Sequence, residues 1–144
     1  MSDLGFTHVA LAVRNLEAST AFYSKYAGME VIHRRADTPN SSVAWMTDLT
    51  RPFVIVLVQL REVQDKPLGP FGHLGIACKS RADVDRHVAE AKREGRLRDG
   101  PTDSGPPVGY WAFIADPDEN ILEVSYGQEV AFTVESARHL GGRK

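Results

Sequence analysis

Three side chains in this sequence have the types and settings that could hold a divalent metal: His8, His73 and Glu123. Two neutral imidazoles and one carboxylate, with further positions left to water or substrate, make the ligand set of a facial triad. Each is the lone ionisable group on one face of a strand-like stretch. In FTHVALAV, His8 shares its face with Ala10 and Ala12, while Val9, Leu11 and Val13 take the other. GHLGIAC repeats the pattern, with His73, Gly75 and Ala77 set against Leu74, Ile76 and Cys78. Glu123 sits mid-strand in NILEVSY, on a face with Ile121 and Ser125. A carboxylate there is costly to bury unless a cation or hydrogen-bond donors meet it. A metal ion, an arginine or a solvated strand face would each satisfy it. Taken singly, the histidines read as satisfied core residues and Glu123 as a rim carboxylate. Matched positions in two repeats argue instead for one shared site.

The elements that must position these residues follow from local patterns. Asn15 is a natural N-cap for an amphipathic helix over Leu16–Tyr26, and Gly28 supplies the left-handed stop. Met29–Arg35 and Ser42–Thr47 read as strands separated by the breakers Asp37-Thr38-Pro39-Asn40-Ser41. FVIVLVQL, Phe53–Leu60, is apolar and β-branched enough to predict a strand buried on both faces. Arg61–Phe71 reads as a linker. The pattern then restarts: the His73 strand, a helix over Ala82–Glu94 stopped by Gly95, a short strand at Leu97–Asp99, and a loop over Pro101–Gly109. A hairpin closes it, Tyr110–Ala115 and Asn120–Tyr126 about the turn Asp116-Pro117-Asp118-Glu119-Asn120. The order is β-α-β-β-β, twice. A duplicated unit of this kind needs its partner to bury a face. The expected fold is α+β: two βαβββ repeats forming a cupped mixed β-sheet with the helices outside. One domain over 1–144 is expected, with repeats at about 5–62 and 71–127 and a tail from 128 to 144. Trp45, Trp111 and Phe113 are candidate substrate-binding aromatics on the cleft walls, subject to strand register.

Composition narrows the field. Lys plus Arg is 17 and Asp plus Glu is 19, so the net charge of −2 offers no basic surface for nucleic acid or anionic lipid. Cys78 is the single cysteine, which excludes an intrachain disulfide and fits a reducing compartment. No signal peptide or membrane span is evident, so a cytoplasmic protein acting on a small molecule is expected.

The motifs HVALAV with NLEASTAFYSKYAGMEV, GHLGIAC and DPDENILEV resemble the vicinal oxygen chelate superfamily. That group includes glyoxalase I, extradiol dioxygenases, fosfomycin-resistance transferases and bleomycin-resistance proteins. The resemblance covers residues 5–127. It implies paired βαββ units around one divalent metal, often in homodimers, with an oxygenated substrate chelating the metal. Fe(II), Zn, Ni and Mn are not distinguished. His8, His73 and Glu123 fall on family ligand positions. Three departures bear on activity. Val56 stands where glyoxalase I has a ligating and basic Glu, Phe113 where extradiol dioxygenases have Tyr, and Ala10 where fosfomycin transferases have Thr. The resemblance therefore implies a metal-dependent lyase, isomerase or dioxygenase. The alternative is a binding and sequestration protein of the bleomycin-resistance kind.

Overall fold

A computed structural model describes residues 2–36 and 42–141 of the chain. The expected breaker turn at Asp37–Ser41 lies outside the described residues. The chain divides into two compact units. One is the chain up to Leu74 together with Ala115–Leu122; the other is Gly75–Ile114 together with the chain from Glu123 onward. The tip of the closing hairpin thus belongs with the first unit.

The first unit runs β1 (His8–Val13), α1 (Leu16–Ala27), β2 (Glu30–Ala36), β3 (Ser42–Thr47) and β4 (Val54–Gln59). Its sheet has the order β1-β4-β3-β2. β1 and β4 are parallel, with Ala10 opposite Val56, and β4 and β3 are antiparallel, with Val56 opposite Trp45. Helix α1 starts where Asn15 Oδ1 accepts the Ala18 N–H at 3.0 Å. It stops at Gly28, whose φ of 63° is the left-handed conformation that a side chain resists. The helix buries Leu16, Phe22, Tyr23, Tyr26 and Ala27, and the sheet buries Leu11, Val13, Ala44, Met46, Ile55 and Leu57. Each large apolar side chain contributes roughly 1.5–3 kcal/mol on burial.

The opposite face of this sheet is open. His8 and Ala10 are exposed, and Ala12, Val54, Val56 and Val58 are half-buried. This corrects the expectation that β4 is buried on both faces: the helix of the unit covers only one. An apolar run cannot tell a sandwiched strand from one with an uncovered apolar side.

The remaining elements are β5 (His73–Ala77), α2 (Arg81–Arg93), β6 (Leu97–Asp103), β7 (Tyr110–Ala115), β8 (Ile121–Tyr126) and α3 (Val130–Leu140). Their sheet has the order β5-β8-β7-β6. The two four-stranded mixed sheets and the repeated β-α-β-β-β order make the fold α+β, as expected from the sequence. Ser80 Oγ caps α2 by accepting the Asp83 N–H at 3.1 Å. Val84, Val88 and Ala91 are the residues α2 buries. Two boundaries differ from the sequence reading. β6 continues through Gly100 and Pro101 to Asp103, because pairing with β7 overrides poor strand propensity. The tail forms α3, a helix with no buried residue, stitched on its polar side by Arg138–Glu135 at 2.7 Å and His139–Glu135 at 3.2 Å. No described helix is long and apolar enough to cross a membrane.

Candidate metal and ligand site

His8 opens β1, and its Nδ1 lies 2.9 Å from Thr7 Oγ1. A hydroxyl can donate or accept, so this contact leaves either tautomer open. His73 opens β5, and its Nδ1 lies 2.9 Å from the carbonyl oxygen of Phe71. A carbonyl only accepts, so the proton sits on Nδ1 and Nε2 is the nitrogen with the lone pair. Metal-ligating histidines are commonly oriented in this way. Phe71 also meets the His73 ring edge-on, with centroids 5.3 Å apart.

Glu123 is half-buried on β8, and its Oε2 accepts from Gln128 Nε2 at 2.6 Å. A neutral amide therefore supplies a donor that the carboxylate needs, and it holds the carboxylate in one orientation. The donor chemistry of the three residues fits a divalent cation. Among the described residues of one chain, however, no group of three or more His, Cys, Asp or Glu side chains is gathered closely enough to hold one.

The open face of the first sheet carries a pocket of about 580 Å³. Trp45, Val54, Val56 and Phe53 line it together with His8, and Arg51 and Asp3 supply charge. Trp45 alternates outward between the buried Ala44 and Met46, and its ring leans on His33 with centroids 4.9 Å apart. Of the three aromatic candidates, Trp45 lines this pocket. Trp111 and Phe113 form a tilted ring pair on β7 with centroids 4.8 Å apart, alternating with the buried Tyr110, Ala112 and Ile114. Trp111 Nε1 donates to Ser104 Oγ at 2.9 Å. Sequence reasoning passed over Asp3, Arg51 and Phe53. Asp3 and Arg51 lie in irregular chain, where no periodicity says which way a side chain points, and Phe53, read as the first strand residue, stands just before β4.

Other titratable and charged side chains are engaged in structural contacts or buried. The Tyr110 hydroxyl donates to Asp85, and that bond, ahead of burial, raises its pKa. The Arg81 guanidinium lies 3.8 Å from the centre of the Tyr110 ring. Cys78 is half-buried, and burial pushes its thiol pKa up, as befits an inert thiol. Arg93 pairs with Glu90, and Arg98 bonds the Gly95 carbonyl at the helix end.

A separate cluster in the first unit is polar and buried. Tyr23 Oη donates to Asp116 Oδ2 at 2.7 Å. Asp116 Oδ1 accepts the backbone N–H groups of Asp118 and Asn120 at 2.8 and 2.9 Å. Burial raises the Asp116 pKa despite these bonds, and burial beside Asp116 raises that of Tyr23 well above its ordinary value.

A repeated βαβββ frame with two four-stranded mixed sheets defines the class. Residues 5–124 match the family model described as Glyoxalase/Bleomycin resistance protein/Dioxygenase superfamily. The chain belongs to that superfamily. An uncharacterized protein of Pseudomonas aeruginosa is 38% identical over 124 residues, which are 85% of this chain and 88% of that protein. Among solved structures, the trypanothione-dependent glyoxalase I of Leishmania major superposes with a TM-score of 0.72 at 21% identity, covering 97% of this chain and 99% of that one. A mutant of the fosfomycin resistance protein FosX from Listeria monocytogenes, complexed with Mn(II) and dihydroxypropylphosphonic acid, gives a TM-score of 0.69 at 19% identity. It covers 92% of this chain and 99% of that one. At these identities the two structures speak for the fold alone.

Proposed function

We propose that this chain is a metal-dependent enzyme of the vicinal oxygen chelate type, with His8, His73 and Glu123 as ligands of one divalent metal. The substrate is a small oxygenated molecule with an apolar body. The observation that carries the reading is the apolar pocket of about 580 Å³ with His8 in its wall. Its size suits a small ligand, and its few polar groups are the kind that fix an orientation. A metal bound there would act as a Lewis acid on a carbonyl or enolate oxygen. Trp45 and Val56 would hold the apolar body against the sheet, and Arg51 would attract an anionic end. Val56 cannot move a proton, and Phe113 cannot donate one. Asp3, which lines the pocket, would be the carboxylate to do so. Lyase, isomerase and dioxygenase outcomes are all compatible with this arrangement.

In this proposal the three ligands meet in a homodimer of the kind the family resemblance implies, each site drawing ligands from both copies. Complementation tests this. His8→Ala and His73→Ala proteins, each deficient in Mn(II) uptake, are mixed, unfolded and refolded together. About half of the resulting dimers should be mixed, and each mixed dimer should regain one intact site. No recovery would place His8 and His73 in the same chain. No uptake by the unaltered protein would remove the metal from the proposal.

The second reading is a protein that binds a metabolite or drug without turning it over. It is favoured by the apolar Val56 at the position of a ligating and basic Glu. Tight binding of an aromatic ligand that quenches Trp45 fluorescence, in protein taking up no metal, would select it.

A further inference from the structure

The candidate ligands stand on three strands, and one buried knot of hydrogen bonds in the first unit touches the chain beside each strand. Its centre is the hairpin turn 116–120. Glu119 takes φ 66° there, and the Asp116 N–H bonds the Asn120 carbonyl at 2.8 Å. Asp116, Asp118 and Asn120 are each at most 1% exposed. From this turn, one bond set reaches the end of β1. Asp118 Oδ1 accepts the backbone N–H of Arg14 at 3.1 Å and its guanidinium at 3.3 Å. A second set reaches the segment that leads into β5. The Lys66 N–H donates to the Asp118 carbonyl at 3.0 Å, and the Leu68 N–H to Asn120 Oδ1 at 3.2 Å. Arg14 binds that segment as well, through the Val63 carbonyl at 2.7 Å and Asp65 at 2.7 Å. Tyr23 anchors the turn to α1 through Asp116.

The placement along the chain gives the knot its consequence. Arg14 directly follows Val13, the last residue of the strand that His8 opens. Asn120 directly precedes β8, in which Glu123 is the third residue. Leu68 leads through a tight turn into His73. A Cβ at Gly72 would lie 2.2 Å from the Leu68 carbonyl oxygen, so the chain has no slack there. Side chains in a strand alternate with a period of two, so a slip of one residue turns a ligand to the wrong face. Plain turn-making does not require Asp118 to be an acid buried with Oδ2 lacking any hydrogen-bond partner among the described residues. Its carboxylate holds Arg14 at the end of β1, while its backbone carbonyl and the Asn120 side chain hold the segment before β5.

We infer that Tyr23, Arg14, Asp116 and Asp118 are positioning residues that set the strand phases of His8, His73 and Glu123 jointly. The inference rests on the metal reading above. Two mild variants test it, Tyr23→Phe and Asp118→Asn, compared with Val84→Ala in α2 as a control that lowers stability away from the knot. Thermal midpoints and Mn(II) affinity are measured for all of them and for the unaltered protein. Both knot variants should keep the native circular dichroism spectrum and lose about tenfold or more in Mn(II) affinity, the scale seen when groups that orient metal ligands are removed. The control should lose thermal stability and keep its affinity. Knot variants that melt earlier but bind Mn(II) as tightly as the unaltered protein would overturn the inference and leave the metal reading intact. An unaltered protein that binds no Mn(II) would overturn both. Tyr23→Phe removes a single hydroxyl and leaves Asn120 bonded to Asp116 Oδ2, so it remains informative if Asp118→Asn fails to fold.

Discussion

The two halves of this protein share an order of elements and have diverged in what they offer. In each, a strand opening with His is followed by a helix and three more strands. At the third residue of the last strand, the first half has Val56 and the second has Glu123. On the open face of the first sheet, Val56 lies between Ala10 and Trp45 and helps to wall a pocket. In the second, the same place carries a carboxylate held by Gln128. The helices differ in parallel. α1 buries Phe22, Tyr23 and Tyr26, with the Phe22 and Tyr26 rings 4.9 Å apart, whereas α2 buries only Val84, Val88 and Ala91. A duplicated unit can keep its frame while one copy specialises in apolar binding and the other in charge.

The sharpest way to break this contrast is to exchange the chemistry at the paired positions. On the metal proposal, Glu123→Ala should reduce Mn(II) affinity at least about 100-fold, since it removes the proposed anionic donor. Val56→Ala should leave Mn(II) affinity within about twofold and weaken an aromatic ligand by about 1 kcal/mol, the scale of one or two buried methyl groups. Titrations of both variants with Mn(II) and with the aromatic ligand give the answer. Equal loss of Mn(II) at the two positions would mean that the halves are not specialised as described.

A second comparison concerns the packing of the helices. Phe22→Ala should cost about 3–5 kcal/mol of stability, because a large side chain leaves a cavity among Tyr23, Tyr26 and the sheet. Val88→Ala, removing two methyl groups from a smaller buried set, should cost about 1–2 kcal/mol. Urea denaturation of each variant measures the difference. Comparable costs would show that α2 packs as tightly as α1 despite its smaller side chains.

The parts of this arrangement that were legible in the sequence are those that local rules decide. The faces of His8 and His73 follow from alternation, and the ends of α1 follow from Asn15 and Gly28. Which way Trp45, Trp111 and Phe113 face was open in the sequence, because a slip of one residue reverses it; in the structure each alternates with buried neighbours. What stayed hidden depends on distant partners. Tyr23 and Asp116 are 93 residues apart in the chain, and neither residue type announces the other. The same holds for Asp118 and Arg14. β6 ran longer than its Gly and Pro allowed because β7 supplies the pairing. The pocket was legible only in part: His8 and Trp45 were named from the sequence, whereas Asp3 and Arg51 reach it from irregular chain.

The smallest expected effect distinguishes the acid in the knot from the acids on the surface. Burial raises the Asp116 pKa above its ordinary value. A carboxyl raised in the folded state favours folding when protonated, so its contribution is full below the unfolded pKa of about 4 and declines as pH rises through the folded one. Asp116→Asn removes this titration while keeping a polar group of the same shape. The stability lost in that variant should therefore be greatest near pH 4 and shrink toward pH 7. At the exposed Asp103, bonds from the Gly105 backbone and Arg81 lower the pKa, so the slope reverses. What Asp103→Asn costs should grow as pH rises from about 3, and remain small because solvent screens the pair. Denaturation of both variants across this range reads the two slopes. A cost at Asp116 that rises with pH would mean that Tyr23, Asn120 and the turn amides outweigh burial and favour the ionised form.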